Sequence, residues 1–194
     1  LEDYDEYESA DIRLMVFGQE TNNWFGEFNP NMMEVLGLYE SYFLSGDWML
    51  DKKRVFWRGL KPYLDGIREK FPEKNFSFIW NNLSKVGKIS KGSSPKYIRD
   101  VELEYFSVIK AEIEILRPNI ILFFTGFKRD EDIKSIFSTA RFESISGFPI
   151  DELASISSIA GSNVFRTYHP YAVNSFGKSY VSKLQKTIIE QISL

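Results

Sequence analysis

The chain of 194 residues contains no cysteine and a single histidine. Without cysteine there are no disulfides, no thiolate metal sites and no cysteine-ligated iron–sulfur cluster. One histidine rules out a histidine-rich metal site. Long apolar runs are also missing, and none reaches the roughly 18 residues of a membrane-crossing helix. No basic-then-apolar leader pattern opens the sequence, and zero cysteine fits a cytoplasmic protein. Nor is there an excess of positive charge: 24 Lys and Arg face 27 Asp and Glu, for a net charge of -3. A Gly-x-Ser-x-Gly elbow and a phosphate-cradling Walker loop are both absent, which argues against an α/β hydrolase of a small nucleoside or sugar.

What the chain does have is apolar bulk: 43% hydrophobic residues, with 17 Phe, 10 Tyr and 4 Trp. That is enough for one sizeable core. Residues 1–10 read as an acidic, mobile tail, with Glu2, Asp3, Asp5, Glu6 and Glu8. Residues 11–194 read as one domain. Setting those five acids aside leaves the remainder at +2. The stretch "KVGKISKGSSPKYIR", 85–99, carries Lys85, Lys88, Lys91, Lys96 and Arg99 and no acid. It is either a solvated loop or one that faces phosphates.

Four apolar runs read as strands: 12–17 "IRLMVF", 75–80 "NFSFIW", 119–124 "NIILFF" and 163–168 "NVFRTY". The first three are nearly continuous, as expected for parallel strands buried on both faces. Helical patterns separate them. One covers 52–71, interrupted by Pro62. A second covers 100–116, with Phe106, Ile109, Ile113 and Leu116 on one face and Arg117-Pro118 at its end. Others cover 130–138 and 177–193, with a weaker pattern at 32–45. Residues 141–160 read as a short strand or an excursion. The alternation implies an α/β fold, a three-layer α/β/α sandwich around a mostly parallel four-stranded sheet.

Ligands of such sheets bind beyond the carboxyl ends of the strands. Those ends are "GQETNNW", "NNLSK", "TGFKR" and "HPYAVN". Each alone is an ordinary turn; four polar ends on one rim would make a site. Glu20 can orient a water or face a developing cation. His169 can donate to a carbonyl oxygen or an anionic leaving group. Asn81 and Asn82 offer amides that match the edge of a nucleobase. Trp24 and Phe25 offer flat faces for stacking. This set suits hydrolysis of a planar heterocycle from a sugar, through an oxocarbenium-like cation.

The same segments resemble the uracil-DNA glycosylase superfamily. "VFGQETNNWFG" is similar to its first motif and "YHPYAVN" to its second. "FIWNNLSK" resembles the strand end whose Asn reads the base, and "EILRPNIILFFTG" the helix–Arg-Pro–strand–Gly segment. The resemblance implies a lesion-containing DNA partner, single- or double-stranded, and no cofactor, metal or membrane. It implies that Glu20 stands where the family keeps a water-activating Asp or Asn. The Gln19 backbone would bind a base carbonyl, and His169 would stabilise the departing base. Asn81 or Asn82 would read the Watson–Crick edge, and Phe25-Gly26 would make Phe25 the stacker. Lys85, Lys88 and Lys91 are the candidate phosphate contacts. Tyr171 to Asn174 would insert into DNA, with Tyr171 or Val173 as wedge. The chain departs from the pattern at Glu20, at Thr21 where a Pro is usual, and at Tyr171-Ala172. With no cysteine it resembles a divergent branch. Two expectations follow: excision of uracil or a related base, or a non-catalytic nucleic-acid- or nucleotide-binding protein of the same fold.

Overall fold

A computed structural model describes residues 4–22, 31–44, 55–88, 94–159 and 163–194. Six strands form one mixed sheet: β1 (Ile12–Asn22), β2 (Phe76–Lys88), β3 (Ile120–Phe123), β4 (Arg141–Ser144), β5 (Leu153–Ser157) and β6 (Asn163–Thr167). Their spatial order is β2-β1-β3-β6-β5-β4. The four strands expected from the sequence are neighbours, and all three of their pairings are parallel. The expected four-stranded sheet needs correcting to six. β4 and β5 pair antiparallel with each other, and β5 runs antiparallel to β6. They were hard to read because they are short and lie at an edge; all four residues of β4 have some exposure, so no continuous apolar run marks it.

Parallel neighbours need long crossovers, and helices supply them. α1 is Tyr4–Ser9, α2 Met32–Leu44, α3 Val55–Lys70, α4 Lys96–Tyr105 and α5 Ile109–Leu116. α6 is Asp130–Ile136, α7 Val173–Phe176 and α8 Lys178–Gln191. Side chains alternate across a strand, so each strand feeds two cores. Leu14, Val16, Ile120 and Leu122 pack with α3 and α8 residues such as Leu60, Leu64, Leu184 and Ile188. Met15, Phe17, Ile121 and Phe123 pack with Ile109, Ile113 and Ile133 of α5 and α6. Phe17 and Phe123 stack in the second core at 4.8 Å between ring centroids. Full burial of each such side chain is worth about 1.5–3 kcal/mol, so both faces of the sheet are strongly held.

Three local readings change. The acidic segment 1–10 is not all tail: residues 4–9 form α1, and Tyr7 is buried. The helix expected over 100–116 is two helices, broken at Phe106-Ser107-Val108, and Phe106 is exposed rather than packed. α3 continues through Pro62, whose carbonyl accepts a hydrogen bond from Gln185 Nε2 at 2.6 Å. The expected stop at Arg117-Pro118 holds. Arg117 sits in the left-handed region at φ 44°, and its N–H donates to the Ile113 carbonyl. Proline cannot continue the helix beyond it.

Candidate functional site

Pairing of β1 with β3 ends at Phe17–Phe123, but β1 and β2 continue past it together. Gly18 lies opposite Asn82, Glu20 opposite Ser84, and Asn22 opposite Lys88, with a register shift between Glu20 and Asn22. The residues expected in turns after the first two strands therefore belong to a two-stranded extension. This corrects the placement of Gln19, Glu20, Asn81, Asn82 and Lys85, which are strand residues. Gln19 ties the extension to the end of β3, its Nε2 donating to the Thr125 carbonyl at 2.8 Å. Trp24, Phe25 and Lys91 lie outside the described residues, as do the side chains of Lys88, Tyr171 and Val173.

Strand alternation separates the two asparagines. Asn81 turns toward α5. Its Nδ2 donates to Glu112 Oε2 at 2.7 Å, while its Oδ1 accepts from the Asn82 N–H and from the Lys85 ammonium. Lys85 also pairs with Glu112 at 2.7 Å. Burial pulls the Lys85 pKa below that of an ordinary lysine, and Glu112 partly offsets this. Lys85 is thus engaged by protein groups rather than held in an open basic loop.

Asn82 is buried on the other side, beside Gly18. A methyl group on residue 18 would lie 2.5 Å from Asn82 Oδ1 and 3.6 Å from both the Phe56 ring and Trp80 Nε1. No real Cβ makes the shortest of these contacts, so glycine is required for Asn82 to sit there. The Phe56 ring in turn lies 5.5 Å, centroid to centroid, from the His169 ring. Asn82 and His169 therefore border the same aromatic wall, formed by Phe56 with Trp80, Trp57 and Phe124 around it. A second close approach seats the histidine turn: Gly59 of α3 faces Pro170, leaving no room for a Cβ. Burial lowers the His169 pKa to about 4. At neutral pH the imidazole is uncharged, able to donate one N–H and accept at the other nitrogen.

Glu20 sits in different surroundings. Both its carboxylate oxygens accept from the Ser94 N–H, at 3.1 and 3.0 Å, and Arg129 Nη1 lies 3.8 Å away. Arg129 is buried. It donates to Ser84 Oγ at 2.7 Å and pairs with Asp132 at 2.6 Å. Arg99 joins from α4, reaching Asp132 at 3.3 Å and donating to the Ser94 carbonyl. Glu102 completes the cluster by accepting from the Lys85 and Val86 N–H groups and the Ser84 hydroxyl. Burial raises the Glu102 pKa, against the pull of these donors.

Phe56, Trp80, Ser84, Ser94, Glu112 and Arg129 were not singled out from the sequence. The adjacent aromatics Phe56-Trp57 at the start of a helix, and Arg129 three residues before Asp132, were the available signals. Asn174 is exposed on the short helix α7. Among the described residues no group of three or more His, Asp or Glu side chains is placed to hold a metal ion, and no helix is long and apolar enough to cross a membrane. No protein-family model matches the chain, and no curated protein matches its sequence.

Proposed function

We propose that the chain is a three-layer α/β/α member of the uracil-DNA glycosylase superfamily and hydrolyses the N-glycosidic bond of uracil or a related lesion base in DNA. One observation carries this reading: an uncharged imidazole and a buried amide border one aromatic wall beyond the carboxyl ends of the parallel strands. A planar base flipped out of DNA would lie against Phe56, and the Asn82 amide would meet its polar edge. As the bond to the sugar breaks, negative charge moves onto the base carbonyl oxygen. The His169 N–H donates to that oxygen without first giving up a proton. The Glu20 carboxylate faces the positive charge that develops on the sugar and orients the attacking water. Attack forms the bond from water oxygen to the sugar's anomeric carbon, and the water's proton passes to Glu20. The described geometry favours Asn82 over Asn81 as the base reader, since Asn81 is already engaged by Glu112 and Lys85.

A second reading follows from the Glu20 contacts. A carboxylate held by Ser94 and Arg129 can serve to anchor the chain rather than to activate water. The protein would then bind nucleic acid of the same kind without cutting it. Base release from single- and double-stranded uracil oligonucleotides separates the two. On the first reading wild type releases base, and His169→Ala, Glu20→Ala and Asn82→Ala each slow release by about tenfold or more. If wild type releases nothing while salt-dependent binding survives Glu20→Ala, the second reading stands.

A further inference from the structure

Helix α3 carries two glycines seven residues apart, Gly59 and Gly66, in the stretch "GLKPYLDG". Glycine is among the poorest residues for a helix interior, so each needs a reason to be there. At Gly66 a Cβ would lie 2.3 Å from Ile189 Cδ1 of α8. That atom is the far end of a side chain that can swing to another rotamer. At Gly59 a Cβ would lie 2.2 Å from Pro170 Cβ, 3.2 Å from its Cγ and 3.3 Å from its Cα. These atoms are backbone or ring, and the proline ring cannot rotate away. Relief to an ordinary contact of 3.4 Å therefore moves the chain at Pro170 by about 1.2 Å.

Pro170 does not move alone. It follows His169 directly, and the Ala172 N–H donates to the His169 carbonyl at 2.8 Å, which closes residues 169–172 into one turn. Phe56, whose ring lies 5.5 Å from the imidazole, stands three residues before Gly59 and so on the same face of α3. One turn of α3 thus supplies both wall and notch: Phe56 meets the imidazole, and Gly59 admits the proline beside it. We infer that Gly59 is a positioning residue, whose missing side chain lets the histidine turn close against α3 and so sets His169 on the Phe56 ring. The inference rests on the proposed function for what His169 does once set there. Where the imidazole sits is independent of base release.

The test is proton NMR of the His169 imidazole across pH 3–8 in wild type, Gly59→Ala and Gly66→Ala. A displaced ring meets more water, so the midpoint in Gly59→Ala should rise from about 4 by about one unit or more. Arg58, Tyr63, Tyr168, Lys178 and Tyr180 are the charged or titratable side chains that line the groove with His169, and no carboxylate joins them among the described residues. None of those residue types titrates in this range. Gly66→Ala also adds a methyl group to α3 but should keep the midpoint near 4. Equal rises in both variants would assign the effect to the packing of α3 as a whole and overturn the inference, as would no rise in Gly59→Ala. Pro170→Gly removes the ring that seats the turn and should raise the midpoint too. A value still near 4 there would overturn the inference, and this variant decides even if Gly59→Ala does not fold. Where wild type releases base, Gly59→Ala should lower kcat about tenfold or more with KM little changed, and Gly66→Ala should not. No release by wild type would remove the glycosylase reading and leave the NMR midpoints to decide the role of Gly59. Release with the midpoint unmoved in Gly59→Ala would do the opposite.

Discussion

Two clusters at the β1–β2 extension use similar polar residues in opposite ways. On the Arg129 side, Glu20, Ser84, Ser94, Arg99, Glu102 and Asp132 are linked by hydrogen bonds and ion pairs, while Ser94 Oγ, Arg129 Nε and Nη1 and Asp132 Oδ2 make no hydrogen bond. On the His169 side, a buried amide and an imidazole rest against rings, and the imidazole sits where burial keeps it uncharged. The first arrangement fixes chain segments to each other. The second holds polar groups at an aromatic surface suited to a flat ligand. A motif such as "GQETNN" therefore has two neighbours with two jobs: Gly18 admits Asn82, while Glu20, two residues on, joins the ionic cluster.

The largest effect should come from breaking the ionic side. Arg129→Ala leaves Glu20 and Asp132 without their buried cation, and loss of one partner from a buried charge cluster costs about 3–5 kcal/mol. Urea unfolding followed by tryptophan fluorescence should show a loss of unfolding free energy of that size. A change under 1 kcal/mol would mean that the cluster is not what holds α4 to the sheet.

The aromatic side has its own signature in pH. The His169 pKa is about 4 in the fold, against about 6.5 for a free histidine. Between those values the unfolded chain binds the extra proton and the fold does not. Stability contributed by the neutral imidazole is therefore intact above pH 6.5 and lost as pH falls toward 4. The loss is at most about 3 kcal/mol, from 1.36 kcal/mol per pKa unit. His169→Asn should remove that part of the pH dependence; an unchanged slope between pH 6.5 and 4 would assign it to carboxylates instead.

Gly18→Ala presses a methyl group on Asn82 Oδ1 and should cost about 1–3 kcal/mol. The cost should shrink in an Asn82→Ala background, because the two positions couple through one contact. Equal costs in both backgrounds would break the link between Gly18 and the amide. At the small end, Lys61→Ala removes an exposed pair with Asp65 one turn along α3 and should stay within about 0.5 kcal/mol. It calibrates the other three.

How much of this was legible in the sequence depended on what held each segment. Strands β1, β2 and β3 announce themselves because burial on both faces demands nearly continuous apolar runs such as "IRLMVF" and "NIILFF". Their extensions do not, because Gln19, Glu20, Asn81 and Ser84 are held by hydrogen bonds and ion pairs to distant chain segments. Polar letters after an apolar run read as a turn unless those partners are known. The choice between Asn81 and Asn82 followed from the same gap. Period-two alternation separates them at once, but only after strand β2 is known to continue through both. The break between α4 and α5 was hidden because Phe106 fits the helical spacing of Ile109 and Ile113, yet ends up exposed. The pairing of Glu20 with Arg129 spans more than a hundred residues, and no local pattern encodes it.

The central claim is that His169 is an uncharged donor set into an aromatic wall. The chain has only one histidine, so its imidazole can be followed without assignment. Proton NMR of the His169 ring across pH 3–8 should give a single titration with a midpoint near 4. A midpoint near 6.5, the value of a solvated histidine, would contradict the account.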